Sequence, residues 1–182
     1  MRRRLLVLAM LVLSVIALGG TPVATAGAPP APAAVPGAFG GTITGPTPQV
    51  YPPFDDPAGH TCPFALHGVD LVNHVVAYTY TNSAGRDVAA FYTGALYLKL
   101  TRVDTGRSVI ANLSGDALQT FAADGSSVIY GFGPFSSSQH PGDSPASEFA
   151  VLHGFSALAI AADGHKTILY STRVEDLCKQ LA

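Results

Sequence analysis

Tryptophan is absent from this chain of 182 residues, cysteine occurs only twice, and charged residues are sparse. The chain carries 10 Lys and Arg against 12 Asp and Glu, so it has no basic excess. Proteins that bind nucleic acid or anionic membranes use clustered Lys and Arg, and we therefore expect neither as a partner.

Recognisable catalytic and metal-binding motifs are also missing. No G-x-S-x-G elbow occurs, and none of the six histidines stands in an H-x-H or H-x-x-x-H pair. Zinc sites usually use such tight local pairs, so isolated histidines are better explained as surface or hydrogen-bonded residues. The sequence therefore assigns no catalytic residue, no cofactor and no metal ligand.

An export signal is present at the start of the chain. Arg2, Arg3 and Arg4 precede an apolar run from Leu5 to Leu18, and Ala24-Thr25-Ala26 is a small-x-small cleavage site. This run is shorter than the roughly 20 residues of a membrane-spanning helix. We predict a signal peptide over 1–26 and a protein that is secreted or extracellular, with cell-wall association as one alternative. A retained membrane anchor is the competing interpretation.

Cleavage of the signal removes three arginines, so the mature chain has a net charge of −5. We expect no membrane insertion of the mature chain.

Residues 27–60 differ in composition from the rest of the chain. They contain nine prolines together with Gly, Ala and Thr, and no charge before Asp55. Such a composition buries too little apolar surface to offset chain entropy, which predicts a disordered spacer. We expect contact with the folded domain to begin near Val50-Tyr51 and Phe54.

From residue 61 onward the apolar period is two. Leu96, Leu98 and Leu100 alternate with polar or aromatic neighbours, as in a strand with one face on a core. The pattern predicts about nine strands, over 64–72, 74–81, 88–103 (with a bend at Gly94), 108–114, 117–122, 127–132, 148–154, 156–161 and 166–171. Turn residues separate them at 82–85, 104–106, 114–116, 123–125 and 162–164. The predicted fold is all-β, an antiparallel meander closed as a sandwich or a barrel over 61–182.

The last segment has helical periodicity. Thr172 and Glu175 are spaced as a capping box, which predicts a helix over 173–181 with Cys178 facing inward. In an exported protein, two cysteines with no neighbouring ligand pattern favour a disulfide between Cys62 and Cys178. This bond would tie the first strand to the helix. Free thiols or a two-cysteine metal site are the alternatives.

Several short motifs resemble a known group of proteins. In order, they are Cys62-x-Phe64, Asn82-x-x-Gly85-Arg86, Thr93-Gly94-Ala95-Leu96, Thr105-Gly106-x-Ser108-Val109, Asn112-x-Ser114-Gly115, Asp124-Gly125, Gly131-x-Gly133-Pro134 and Asp176-Leu177-Cys178. The chain resembles uncharacterised small secreted β-domain proteins of high-GC Gram-positive bacteria, which have a signal, a Pro-rich spacer and a two-cysteine domain ending in D-L-C. The resemblance implies the fold and the location. It implies no activity and no catalytic residue.

Two places could hold a binding surface. The loop 134–147 is the longest interruption of the strand pattern, and it offers Phe135, His140 and Asp143. His74 would share a strand face with Asp70, which makes an Asp-His pair conceivable. A plain crossover loop and separate surface residues are the competing interpretations.

The absence of motifs favours a non-enzymatic extracellular or cell-envelope module that binds a ligand, a wall polymer or a protein. The alternative is a small secreted hydrolase or isomerase with its site in a barrel mouth or under loop 134–147. A structural protein of the outer surface is a third hypothesis. A cavity lined by Tyr and His with a perturbed carboxylate would favour an enzyme, and a filled core with an exposed aromatic patch would favour the module.

Overall fold

The computed structural model describes residues 35–36 and 40–182. The predicted signal peptide, 1–26, and the first part of the predicted spacer lie outside the described residues. In chain order the elements are β1 (Val35–Pro36), β2 (Thr42–Pro48), β3 (Phe54–Asp56), β4 (Leu66–Asn73), β5 (Val76–Thr81), β6 (Asp87–Thr93), β7 (Leu96–Arg102), β8 (Ser108–Asn112), β9 (Asp116–Phe121), β10 (Ser127–Phe132), β11 (Phe135–Gln139), β12 (Glu148–Ile160), β13 (Lys166–Asp176) and α1 (Leu177–Leu181). Among these residues no helix has the length and apolar character needed to cross a bilayer.

The strands form two antiparallel sheets. The larger has nine strands in the order β1-β2-β5-β6-β9-β10-β12-β11, with β13 also paired to β12, and the smaller has the order β3-β4-β7-β8. The all-β prediction is confirmed, and of its two alternatives the sandwich is the one formed. Four predicted turns join hairpins within a sheet, at β5–β6, β7–β8, β9–β10 and β12–β13. Glycine supplies the positive φ at their tips, as at Gly125 (+90°).

The chain changes sheet at two predicted features that are not hairpins. The predicted strand 88–103 is two strands, with β6 in the larger sheet and β7 in the smaller. At the bend, Gly94 has φ +135°, and a Cβ there would collide with the His74 carbonyl. Ser114-Gly115 likewise links β8 to β9 across the sandwich rather than closing a hairpin.

The spacer prediction is wrong for the second half of residues 27–60. Strand β2 pairs with β5, and β3 pairs with β4, so both belong to the sheets. Gly45 and Pro46 of β2 are accommodated by a register shift between Thr44 and Thr47. The composition of this segment predicted disorder because it contains few apolar residues. Such strands become stable only when a neighbouring strand supplies their hydrogen bonds, and composition alone does not show that pairing.

The C-terminal third also departs from the prediction. The two predicted strands 148–154 and 156–161 are one strand, β12, and the predicted loop 134–147 contains β11. Strand β13 continues to Asp176, so the helix is shorter than 173–181. Its N-cap is Asp176, whose side chain accepts a hydrogen bond from the Cys178 amide, and not Thr172. Pairing of β13 with β12 overrides the local helical preference of residues 173–176.

A filled hydrophobic core occupies one end of the sandwich. It is built from the smaller sheet, β12, the Cys62 segment and α1, through Phe64, Leu66, Leu98, Leu100, Ala111, Leu113, Phe149, Val151, Leu177 and Leu181. The predicted inward face of β7 is confirmed, because Leu98 and Leu100 are buried, and Ala111 of β8 is buried in the same core. In β10, Ile129 faces the interior, whereas Phe132 lies on the other face of the strand and is exposed.

The predicted disulfide between Cys62 and Cys178 is confirmed. The two Cα atoms are 5.5 Å apart, the usual separation for this bond. Cys62 lies just before β4 and Cys178 in α1, so the bond joins the segment leading into the smaller sheet to the C-terminal helix. Both residues are buried in the core.

Candidate functional site

Beside the filled core, a cavity of about 640 Å³ lies between the two sheets and opens to solvent. Its walls are mostly aliphatic and aromatic. The larger sheet contributes Ala117, Ile129, Leu158 and Ile160, and the smaller sheet with the residue after β8 contributes Leu96, Leu98 and Leu113. This volume lies within the range of small-molecule binding sites, roughly 300–1,000 Å³.

The start of β3 and the residues just before it complete the cavity wall. Tyr51 and Phe54 line it, while Val50 points to solvent with 83% of its surface exposed. Tyr51 and Phe54 therefore contact the domain as expected, but contact begins earlier in the chain, because β2 already pairs with β5. Phe135, predicted as a binding residue, also lines the cavity from β11.

A small polar group interrupts the apolar wall. It consists of Asp70 on β4, Tyr92 on β6, Gln119 on β9 and Tyr51. The Tyr92 hydroxyl donates to the Gln119 Oε1 at 3.3 Å, and Gln119 in turn donates to the Ser127 hydroxyl at 3.0 Å. These groups give the cavity a polar region that can orient a ligand, and Gln49, Lys166 and the serines 136–138 are further polar residues of the lining.

Burial controls the protonation of this polar region. It raises the pKa of Asp70, although a hydrogen bond from the Asn73 amide (3.2 Å) acts in the opposite direction. Burial also raises the pKa of Tyr92. The pKa of Tyr51 is raised by burial first and by the charges of Tyr92 and Asp70 second. The cavity therefore disfavours negative charge in this region.

We expect the substitution Asp70→Asn to stabilise the protein at neutral pH. A carboxyl whose pKa is raised on folding holds its proton more tightly in the native state, so the ionised side chain costs stability once the pH rises above 3.8, the unfolded value. Asparagine is uncharged, and its carbonyl can still accept from Asn73. Urea unfolding as a function of pH should show that the variant's free energy of unfolding exceeds that of wild type increasingly as the pH rises from about 4. At lower pH this difference should vanish. An equal gain at every pH would contradict the assignment.

The predicted pair of Asp70 and His74 does not form. Among the hydrogen bonds of the described residues, the Asp70 carboxylate accepts from Asn73. His74 lies in the β4–β5 turn with an exposed side chain. The Asn73 side chain accepts a hydrogen bond from the Val75 amide, and the strand ends before His74. Asp70 and His74 therefore do not lie on the same face of one strand, as the prediction assumed.

Asp143, predicted as a surface binding residue, is buried and holds the β11–β12 loop together. Its carboxylate accepts from the backbone amides of His140 (2.7 Å) and Lys166 (2.8 Å). Burial acts to raise its pKa, but these backbone hydrogen bonds and the neighbouring His165 and Lys166 outweigh it, so the pKa lies below its ordinary value. Asp143 therefore positions its neighbours and presents no free carboxylate.

His140, the remaining predicted residue, lies beside a histidine from another part of the chain. Its ring stacks on that of His60, with centroids 3.9 Å apart and ring planes 20° from parallel. The Asp56 Oδ1 lies 2.5 Å from His60 Nδ1. Ring nitrogens of both histidines and a carboxylate oxygen of Asp56 all lie within 4.8 Å of one another. The pKa of His140 is lowered, first by burial and then by the charges of Lys166 and His60, and this favours a neutral ring.

The structure thus adds residues that the sequence did not single out. Tyr51 and Gln119 in the cavity, and Asp56 and His60 beside His140, were not predicted as site residues. The only local signal was the spacing of four between Asp56 and His60, within a stretch predicted as spacer.

Three other histidines have carboxylate neighbours of their own. His67 lies 2.7 Å from Asp55, and His153 lies 2.7 Å from Glu175. His165 lies 3.3 Å from Asp143. Each of these pairs contains one imidazole, which distinguishes them from the group around His60.

Comparison with protein-family models, with curated proteins and with solved structures gives no match for this chain.

Proposed function

We propose that this protein is a secreted, non-enzymatic binding module whose ligand is a small, mainly apolar molecule held between the two sheets. The observation that carries the proposal is the cavity of about 640 Å³ beside a core that is otherwise filled. A concave, mostly apolar site with a few polar groups is the usual form of a small-molecule binding site.

The chemistry of the wall defines the class of ligand. Leu96, Leu158, Ile129 and Phe135 would bury apolar surface, which stabilises a complex by about 25 cal/mol per Å² removed from water. The raised pKa of Asp70 reflects an environment in which an anion would be poorly solvated. A neutral or weakly polar molecule with one hydrogen-bonding group therefore fits better than a sugar or a charged metabolite.

Two features support a location outside the cell. The chain begins with a predicted signal peptide, and the folded part contains a disulfide, a bond that persists in oxidising compartments. The resemblance to small secreted β-domain proteins agrees with this location. A wall polymer or a protein remains an alternative partner, since Phe132, Phe155 and Tyr170 form an exposed aromatic group on the outer face.

The competing proposal is a small hydrolase or isomerase that uses the same cavity. Asp70, with its raised pKa, and Tyr92 would supply the acid-base groups. Within the described residues no histidine lines the cavity, and no serine there has a histidine partner. Of the features expected of an enzyme, a cavity lined by tyrosines and a perturbed carboxylate are present, and a histidine in the lining is not.

Binding can be tested with the neutral apolar fluorophore N-phenyl-1-naphthylamine. We expect saturable binding of one probe per chain, with a rise in probe fluorescence. The variant Ile129→Trp places a larger side chain in the cavity and should weaken the probe's affinity about tenfold, which corresponds to roughly 1.4 kcal/mol. Excitation in the probe's own band avoids the new tryptophan.

The matched control is Ile110→Trp. Ile110 also lies in a strand but is 59% exposed, so this variant should bind the probe as wild type does. Because the natural chain has no tryptophan, each variant has a single reporter. The tryptophan of the Ile129→Trp variant should emit at shorter wavelength than that of the Ile110→Trp variant. Equal probe binding by both variants, or none by wild type, would contradict an internal apolar site.

A further inference from the structure

Two histidines and an aspartate from separate parts of the chain meet outside the cavity. Asp56 ends β3 and His60 follows it in the loop to β4, whereas His140 lies eighty positions later, in the loop after β11. Their ligand atoms lie within 4.8 Å of one another. Asp56 is largely buried, with 11% of its side chain exposed, while His60 is 46% exposed and reachable from solvent.

We propose that Asp56, His60 and His140 form a binding site for a divalent transition metal, with Zn²⁺ the best match. Imidazole nitrogens together with one carboxylate suit Zn²⁺, whereas Ca²⁺ and Mg²⁺ prefer oxygen ligands alone. Three protein ligands leave a fourth tetrahedral position open to water or to a ligand.

The distances require only small side-chain movements. Zn²⁺ bonds of about 2.0–2.1 Å in a tetrahedral arrangement place neighbouring ligand atoms roughly 3.3 Å apart. Asp56 Oδ1 and His60 Nδ1, now 2.5 Å apart, would separate slightly, and bonds to the ion would replace the contact between them. The two stacked rings would tilt so that their nitrogens converge. His60 is exposed enough for this rotation.

The surrounding contacts hold both loops in place for such a site. The second oxygen of Asp56 accepts from the Thr61 amide at 3.2 Å, which orients the carboxylate. Asp143 accepts from the His140 amide at 2.7 Å, which fixes the other loop. The disulfide at Cys62 anchors the chain two residues after His60. Outer contacts of this kind raise metal affinity by holding ligands in position.

A titration with Zn²⁺ tests the proposal directly. The protein is prepared without a histidine tag, stripped of metal with a chelator, and titrated with Zn²⁺ by calorimetry. We expect one ion per chain in wild type, and an affinity at least about tenfold lower in His60→Ala, His140→Ala and Asp56→Asn. The Asp56→Asn variant retains an acceptor for the Thr61 amide, so a loss of Zn²⁺ affinity in this variant reports on metal coordination and not on the loop. Co²⁺ should give the visible bands of a tetrahedral site in wild type and in none of these three variants.

The matched control is His67→Ala. His67 has the same side-chain exposure as His60, 46%, and also lies beside an aspartate, Asp55, but has no second imidazole. It should bind Zn²⁺ as wild type does. Unfolding midpoints without metal verify that each variant is folded, and Zn²⁺ should raise the midpoint of wild type and His67→Ala only. Absence of one-to-one uptake by wild type, or an equal loss in His67→Ala, would overturn the proposal. The apolar-probe measurement is independent of either result.

Discussion

Replacing Cys62 and Cys178 together by alanine is expected to lower the free energy of unfolding by about 4 kcal/mol. The bond closes a loop with a sequence separation of 116 residues, so it removes many conformations from the unfolded chain. It also fastens α1, a helix of five residues that is too short to be stable alone. Urea denaturation followed by far-UV circular dichroism measures the change.

Reduction of the wild-type protein provides the control for this prediction. If the chain constraint is the cause, thiol-reduced wild type should unfold at nearly the same urea concentration as the double variant. A large loss in the variant with no loss on reduction would assign the effect to the packing of the two side chains in the core. An unchanged midpoint in both would contradict a stabilising role for the bond.

Leu100→Ala should cost about 3–4 kcal/mol of stability, and Leu158→Ala clearly less, about 2 kcal/mol. Both side chains are almost fully buried, at 0% and 2% exposure. Leu100 lies in the filled core, where its removal leaves a new void and unpaired packing contacts. Leu158 borders a void already present, so its removal forfeits contacts on one side only. Chemical denaturation of the two variants compares them directly.

This pair of variants tests the cavity without any ligand. The substitution, the residue volume and the burial are matched, and the two sites differ in whether the neighbouring space is filled. Equal losses would indicate that the space beside Leu158 closes in solution. In that case the apolar-ligand proposal would lose its main support, whereas the proposed metal site would be unaffected.

Much of the strand pattern was predictable because it depends on neighbours in the chain. Alternation through Leu96, Leu98 and Leu100 places a strand and its buried face, and Asp124-Gly125 defines a hairpin by its backbone requirement. The face of β10 was not predictable in the same way. Val128, Ile129 and Tyr130 are consecutive apolar residues, so the period does not decide which of them faces the interior.

The candidate sites depended on tertiary structure to a greater degree. His140 and Phe135 were predicted from the length and composition of their loop, but one contacts His60 and the other lines the cavity. Asp143 was predicted as a binding residue because a polar loop suggests exposure. Its carboxylate is instead buried and accepts from the amides of His140 and Lys166, and the second of these contacts forms only when β13 returns beside the loop.

The sequence by itself determined the all-β class, the four hairpins at β5–β6, β7–β8, β9–β10 and β12–β13, and the pairing of Cys62 with Cys178, because each follows from local patterns or from the number of cysteines. Tertiary structure alone decided that β2 and β3 join the sheets, that a cavity remains beside the core, and that His140 meets Asp56 and His60. These features depend on how closely two sheets approach and on contacts between residues far apart in the chain. A single sequence carries no local signal for such distances.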